Sequence, residues 1–259
     1  MRGPEHEAER LVSLRSIERV PALFTIDFHN TLFHCDAWFQ LEIRELPRAV
    51  FAEMNAISPG EDNHQMLTEA LQRYRAIREQ AMASGVECDA VTSMIQVAHE
   101  LELVLRPDDI ASAVQSVMHR AQHDAQPIPG AIELLQGVRA RGIQIAVISS
   151  AAYHPFLEWS LTRFDMSDLI DEVVTSARCG IYKSNPAIYQ HTLDLFNASA
   201  ATSVHVGDSP RFDVASASSI GMKTVLLSND LAATLDPEPD LVVASLGEVP
   251  EHLDRLLTA

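Results

Sequence analysis

The chain has 259 residues, of which 47% are hydrophobic, 21% charged and 6% aromatic. At roughly 150 residues per domain, that length holds one to two domains with a sizeable core, and the composition excludes wholesale disorder and collagen-like or low-complexity chains. Thirty-six Asp and Glu against 19 Lys and Arg leave a net charge of −17; such a field repels polyanions and argues against a nucleic-acid or anionic-membrane binder, but not against a small anion held by a metal and a few local cations.

Residues 1–20 are polar and charged, with Leu11, Leu14 and Ile17 at helical spacing, and are expected to form an N-terminal arm. Early acids and the lack of a long apolar stretch argue against a signal peptide. Ala22-Leu23-Phe24-Thr25-Ile26 reads as a buried strand ending in Asp27. From 34 to 125 the pattern is helical throughout. Met66, Leu67, Ala70, Leu71, Tyr74 and Ile77 form one stripe that Gly85 can end, and Val91, Met94, Ile95, Ala98 and Leu101 form a second. Pro107 followed by Asp108 and Asp109 suits a helix start.

Pro127-Ile128-Pro129-Gly130 reads as a break, and after it strands and helices alternate. Strands are expected at 143–148, 172–175, 204–206, 224–227 and 241–243, with helices between them and one at the end of the chain. The most apolar run, Ile143 to Ile148, is far short of the ~20 residues a membrane-spanning helix needs. Cys35, Cys88 and Cys179 are odd in number and far apart, which suits a reducing compartment better than a disulfide scaffold. A cytoplasmic protein is expected.

This rhythm predicts an α/β fold, a doubly wound parallel sheet, over 21–33 and 126–259. The all-helical block at 34–125 is far longer than one crossover between parallel strands, so it reads as an inserted α-helical cap.

Ligands of open α/β sheets bind outside the carboxyl ends of the strands. The polar residues expected there are Asp27 to Thr31, Ser149-Ser150, Gly207-Asp208 with Asp213 five residues on, and Lys183 ahead of a helix. Clustered carboxylates need a cation, and hard oxygen ligands suit Mg²⁺. A carboxylate can also be a nucleophile. Ser149 can donate to a phosphoryl oxygen, and Lys183 can neutralise the nucleophile and the transferring group. The set suits moving a phosphoryl group to Asp27 and then to water.

These residues resemble, in order, the four motifs of the haloacid dehalogenase-like hydrolase superfamily, in its capped phosphatase branch. Asp27-Phe28-His29-Asn30-Thr31 stands for the DxDxT motif and Ser149 for the hydroxyl ending a hydrophobic strand. Lys183, in a Gly-x-x-Lys-x-x-Pro-x-x-Tyr setting, is the third motif, and Gly207-Asp208 to Asp213 is the fourth. The resemblance covers about residues 21–258. It implies an Mg²⁺-dependent hydrolase of a small phosphorylated metabolite, with Asp27 as nucleophile. The metal would be held by Asp27, the His29 backbone carbonyl and Asp208, with Asp213 in support, and the substrate phosphate by Ser149 and Lys183.

One departure bears on mechanism. The second Asp of the first motif, an acid/base in the phosphatases, is His29 here. An imidazole can do acid/base work near neutral pH; alternatively the exchange weakens turnover and leaves a protein of interaction or regulation. Carbon–halogen hydrolysis through an aspartyl ester is a further alternative, one that would not call for the Asp208–Asp213 pair. Within the cap, His34, His64, Arg73, Arg75 and Arg78 are candidates to face the substrate.

Overall fold

The structure, a computed structural model, describes residues 22–57, 61–230 and 235–257. The expected arm at 1–20 lies outside them. In chain order the elements begin with β1 (Leu23–Ile26), β2 (Phe33–His34), α1 (Asp36–Gln40), α2 (Leu46–Glu53), α3 (Glu61–Ser84), α4 (Ala90–Glu100) and α5 (Pro107–Arg120). They continue with β3 (Gln126–Pro127), α6 (Ala131–Ala140), β4 (Gln144–Ser149), α7 (Pro155–Arg163), β5 (Glu172–Thr175), α8 (Ser176–Cys179) and α9 (Ala187–Phe196). Last come β6 (Val204–Gly207), α10 (Ser216–Ser218), β7 (Lys223–Leu227), β8 (Leu241–Val243) and α11 (Leu253–Leu256). π-Helical segments at Leu41–Glu45 and Pro210–Ala215 lead into α2 and α10.

The main sheet has the order β5-β4-β1-β6-β7-β8, with every pair parallel. Its central strands are apolar on both faces because helices cover both sides, so they read as continuous hydrophobic runs. The chain builds outward from β1 to β4 and β5, then crosses back to place β6, β7 and β8 on the other side. The carboxyl end of β1 is therefore the point where the winding reverses, and the strands flanking it splay their loops apart to leave a crevice. Register aligns Ile26 with Val147 and Val206. Asp27 continues β1 by donating its N–H to the Val206 carbonyl, 2.8 Å away.

β2 and β3 form a separate antiparallel ribbon, with Phe33 opposite Pro127. It ties together the two ends of the helical block. The sequence reading treats His34 as the start of a helical stretch and 127–130 as a plain break. Strands of two residues are too short for any periodicity to declare them.

α3, α4 and α5 pack Tyr74, Met94, Val97, Ile110 and Val114 into a core continuous with that of the sheet. Asp89 caps α4, accepting from the N–H groups of Val91 and Thr92 at 3.0 and 3.1 Å. The α3–α4 turn is docked on the loop before Lys183: Glu87 N–H donates to the Gly180 carbonyl and Tyr182 N–H to that of Gly85, both at 3.0 Å. Gly85 has φ +72°, and a Cβ there would lie 2.6 Å from the Asn185 Cβ, so both its conformation and its space require glycine. On the other side Glu42, buried in the π-helical segment, accepts from the N–H groups of Ala152 and Tyr153 at 2.7 and 3.1 Å. Among the described residues, no helix is long and apolar enough to cross a membrane.

Candidate active site

The turn after β1 sets the site. Leu32 and Phe33 N–H groups donate to the Phe28 carbonyl at 3.0 and 2.8 Å, and Asn30, at φ +61°, donates to the Phe33 carbonyl at 2.8 Å. Phe28 is fully buried, stacked on Phe33 at 4.9 Å and edge-on to Trp38 and Phe156. That anchor leaves its neighbours Asp27 and His29 lining the cavity on the other side.

Lys183 joins the motifs. Its Nζ donates to Asp27 Oδ1 at 2.5 Å and to Asp213 Oδ1 at 2.6 Å, and it is 2% exposed. Ser150 Oγ accepts from the Lys183 N–H at 3.2 Å and so fixes the backbone that carries it. Asp213 is held from every side. Its Oδ1 faces His205 Nε2 at 3.1 Å, and its Oδ2 accepts from the Ser209 N–H at 2.9 Å. His205 Nδ1 lies 2.9 Å from Thr25 Oγ1 on β1. A neutral His205 with its proton on Nε2 donates to Asp213, while the Thr25 hydroxyl lies within reach of both Nδ1 and the Val204 carbonyl, 3.1 Å away.

Carboxylate oxygens of Asp27, Asp208 and Asp213 lie within 4.8 Å of one another. Burial, with Asp213 and Asp208 adding repulsion, pushes the Asp27 carboxyl up to about 7 although Lys183 opposes the rise. Burial and Asp213 raise Asp208 to about 6. Asp213 goes the other way: Lys183 and His205 overcome its burial and hold it well below the usual carboxylate range. Lys183 serves Asp27 and Asp213, whereas Asp208 makes no ion pair among the described residues. The pair Asp27–Asp208 thus carries more negative charge than the protein neutralises, which is the donor set a hard divalent cation fits.

His29 lies among aromatic rings. Its ring stacks on Phe39 with centroids 4.2 Å apart and meets Trp38 at 6.0 Å. Nε2 is buried without a hydrogen bond, 3.7 Å from Asp36 Oδ1. Burial lowers the ring's pKa to about 4, against the pull of Asp36. The imidazole is therefore neutral at pH 7: able to accept a proton, poor at giving one.

Ser149 is the last residue of β4, opposite Thr175 on β5, rather than the first residue beyond the strand; it is 3% exposed and lines the same cavity as Ser150. Thr31 is buried and its hydroxyl has no hydrogen-bond partner. The cavity holds about 620 Å³, with the acidic cluster and Lys183 as its floor and residues of Leu41–Glu45 and α3 as its roof.

The cap candidates separate here. Arg75 lines the cavity. Arg78 borders it too, but its guanidinium is buried against Glu87 and the Cys88 carbonyl, which corrects the expectation that it faces substrate. Arg73 is also corrected: it pairs with Glu69 and Glu100, both at 2.6 Å. His34 is exposed beside Asp36, and His64 is exposed on α3. Cys35 is buried, its thiol pushed up by burial, and is no thiolate. Sequence reasoning passed over His205, although a histidine inside the apolar run Val204-His205-Val206 is a visible sign of a buried polar contact.

Fold and site together define a Rossmann-like α/β protein with an aspartate–lysine centre at the reversal of its sheet. The chain belongs to the haloacid dehalogenase-like hydrolase family, whose model matches residues 60–227. That span includes Ser149, Lys183, Asp208 and Asp213 and begins after Asp27. The chain is 28% identical over 160 residues to a glyceraldehyde 3-phosphate phosphatase of Pyrococcus furiosus, covering 60% of this chain and 66% of that one. It is 30% identical over 170 residues to mouse (Mus musculus) haloacid dehalogenase-like hydrolase domain-containing protein 3, covering 62% and 66%. It spans 46–66% of the length of the archaeal phosphatases it matches. Among solved structures, a 2-haloacid dehalogenase of Pseudomonas syringae pv. Tomato DC3000 superposes with a TM-score of 0.69 at 23% identity, over 91% of this chain and 99% of that one. A phosphatase of the same superfamily from Thermococcus onnurineus gives 0.62 at 19%, over 92% and 100%. These two likenesses concern the fold.

Proposed function

We propose that the chain is an Mg²⁺-dependent phosphatase of a small phosphorylated metabolite, acting through an aspartyl-phosphate on Asp27. The observation that carries this reading is the bridge from Lys183 to Asp27 and Asp213, with Asp208 alongside and making no ion pair among the described residues. The relatives' names support it: besides glyceraldehyde 3-phosphate phosphatases, they include a ribulose-1,5-bisphosphate 5-phosphatase of Halopiger xanaduensis, 27% identical over 56% of this chain.

Asp27, Asp208 and the His29 carbonyl would hold the metal, with Asp213 in support. The metal would supply charge neutralisation for the nucleophile and the phosphoryl oxygens. Ser149 and Lys183 orient the phosphate. An Asp27 oxygen attacks phosphorus in line, the bond to the leaving oxygen breaks, and that oxygen departs with a proton from solvent. Water then attacks the aspartyl-phosphate and regenerates the Asp27 carboxylate, with neutral His29, which lines the same cavity, as the candidate to take the water's proton. The helical block over 34–125 acts as the cap that excludes bulk water and selects substrate. A cytoplasmic setting and a small-molecule partner, rather than nucleic acid or membrane, go with this reading.

The test is a panel of phosphomonoesters with and without Mg²⁺. Metal-dependent release of phosphate is expected; full activity in excess chelator would overturn the metal assignment and return carbon–halogen hydrolysis to consideration. The aromatic sheath around a neutral His29 favours a second reading, a chain of this fold with slow turnover and a role in interaction, for which no phosphomonoester would be turned over at an appreciable rate.

A further inference from the structure

The cavity above Asp27, at about 620 Å³, lies in the range that takes drug-sized ligands, so it has room well beyond one phosphate. One face of α3, carrying Arg75, Glu79 and Met82, forms part of its roof, and Ile43 and Arg44 extend it. Phe39, Tyr182 and Phe212 give apolar surface to its walls.

Arg75 makes no ion pair and no hydrogen bond among the described residues, and it is exposed. Two facts make this unusual. The chain has 36 acids for 19 Lys and Arg. Glu79 lies four residues on along the same helix, the spacing at which opposite charges ordinarily pair. The other described arginines of the helical block all have a carboxylate within reach: Arg48 and Glu45 at 3.0 Å, Arg73 and Glu69 at 2.6 Å, Arg106 and Asp109 at 3.9 Å, Arg120 and Glu53 at 2.7 Å, and Arg78 with Glu87. Arg44 also has a carboxylate within reach, Glu45 at 3.8 Å, but 47% of its side chain is exposed. A free guanidinium facing a cavity presents a planar fork of donors that matches a carboxylate or phosphate.

We propose that Arg75, assisted by Arg44, is a second anion subsite, so that the substrate is a phosphomonoester carrying another anionic group, a carboxylate or a second phosphate, at the end away from the phosphate that is cleaved. This rests on the phosphatase reading of the floor. With the phosphate at Lys183 and Ser149, the substrate's body lies along the apolar walls and its far end meets the roof. Glu79 on the same roof face repels an anionic end, so the pull on the anion has to come from the two arginines together.

The test uses the full-length protein with Mg²⁺ and two matched substrates, an alkyl phosphate and the ω-carboxyalkyl phosphate of the same chain length, followed by an α,ω-bisphosphate to separate carboxylate from phosphate. Wild type should prefer a doubly anionic substrate by at least tenfold in kcat/KM, mostly through KM. Arg75→Ala should cut that preference roughly 10–100-fold, the loss of a charge-assisted contact, and Arg75→Lys should restore part of it. Equal handling of the paired substrates by wild type overturns the subsite. So does an equal rise in KM on both in Arg75→Ala, which would place the arginine on the cleaved phosphate. If wild type turns over neither, the phosphatase reading fails separately, and calorimetry with the matching alkyl and ω-carboxyalkyl phosphonates decides the subsite. A tenfold preference lost in Arg75→Ala upholds it; equal binding overturns it.

Discussion

Gly207→Ala isolates the close approach on which the centre is built. A Cβ at Gly207 would lie 2.2 Å from Asp213 Cγ, 2.4 Å from its Oδ2 and 2.5 Å from its Cβ. Carbon atoms rest at about 3.5–4.0 Å, so the Asp213 side chain must withdraw by more than about 1 Å. That carboxylate holds Lys183 at 2.6 Å and faces His205 at 3.1 Å, and hydrogen bonds stretched by that much are lost. Overpacking alone costs about 1–3 kcal/mol, and loosening a buried ion pair adds to it, so the melting temperature should fall by roughly 4–12 °C. Lys183 loses one of its two anchors, and a misplacement near 1 Å at a catalytic group is worth ~10²-fold in rate. The assay pairs thermal unfolding with initial rates on an aryl phosphate. Gly137→Ala in α6 is the control: its nearest atom would be Arg141 Nη1 at 3.7 Å, so it should be neutral or slightly stabilising. A Gly207→Ala protein within twofold of wild type in rate and unchanged in melting temperature would refute the claim that glycine is there to admit Asp213.

Protons should compete with the metal. Asp27 and Asp208 lie at about 7 and about 6, both raised from the ordinary carboxylate value, and a protonated carboxyl does not ligate. Mg²⁺ affinity should therefore be level above about pH 8 and fall as pH drops through 7 and 6, approaching tenfold per unit for each proton displaced; calorimetric titration showing equal affinity at pH 5.5 and 8 would contradict this. Asp208→Asn should weaken Mg²⁺ binding at least tenfold at pH 8, while leaving the Lys183 bridge and the melting temperature near wild type. At His29, a neutral ring cannot protonate a leaving oxygen well, and such help is typically worth ~10²–10⁴-fold. His29→Asp should raise turnover more on an alkyl than on an aryl phosphate, and equal rates for wild type, His29→Asp and His29→Ala on both esters would make the residue a bystander.

Much of the core was legible because strands covered on both faces must be continuous apolar runs, and because the polar residues at their ends fall at fixed places. That is how Asp27, Ser149 and Asp208 could be assigned to one edge from the sequence alone. The β2–β3 ribbon was not legible, since two residues per strand leave no pattern. The behaviour of Arg78 and Arg73 was hidden for a different reason. Both sit on α3 at spacings compatible with facing a ligand; Glu69, four residues before Arg73 on the same helix, could be paired with it by spacing, but Glu87 and Glu100 lie beyond the helix, in positions only tertiary packing defines. Asp213 could be paired with Asp208 by spacing, but its service as the anchor of Lys183 depends on β6 and the loop before α9 meeting in space. The neutrality of His29 follows from burial under Phe39, a contact that no spacing in the first motif announces.

The central claim is that Asp27 becomes phosphorylated. Acid-quenching Mg²⁺-loaded protein during turnover of an aryl phosphate, followed by peptide mass spectrometry, reads this directly. One phosphoryl group on the peptide containing Asp27, absent in Asp27→Asn along with turnover, is the result expected. Steady release of phosphate without any covalent phosphoryl group, and an Asp27→Asn protein turning over near the wild-type rate, would contradict it and assign the attack to another group.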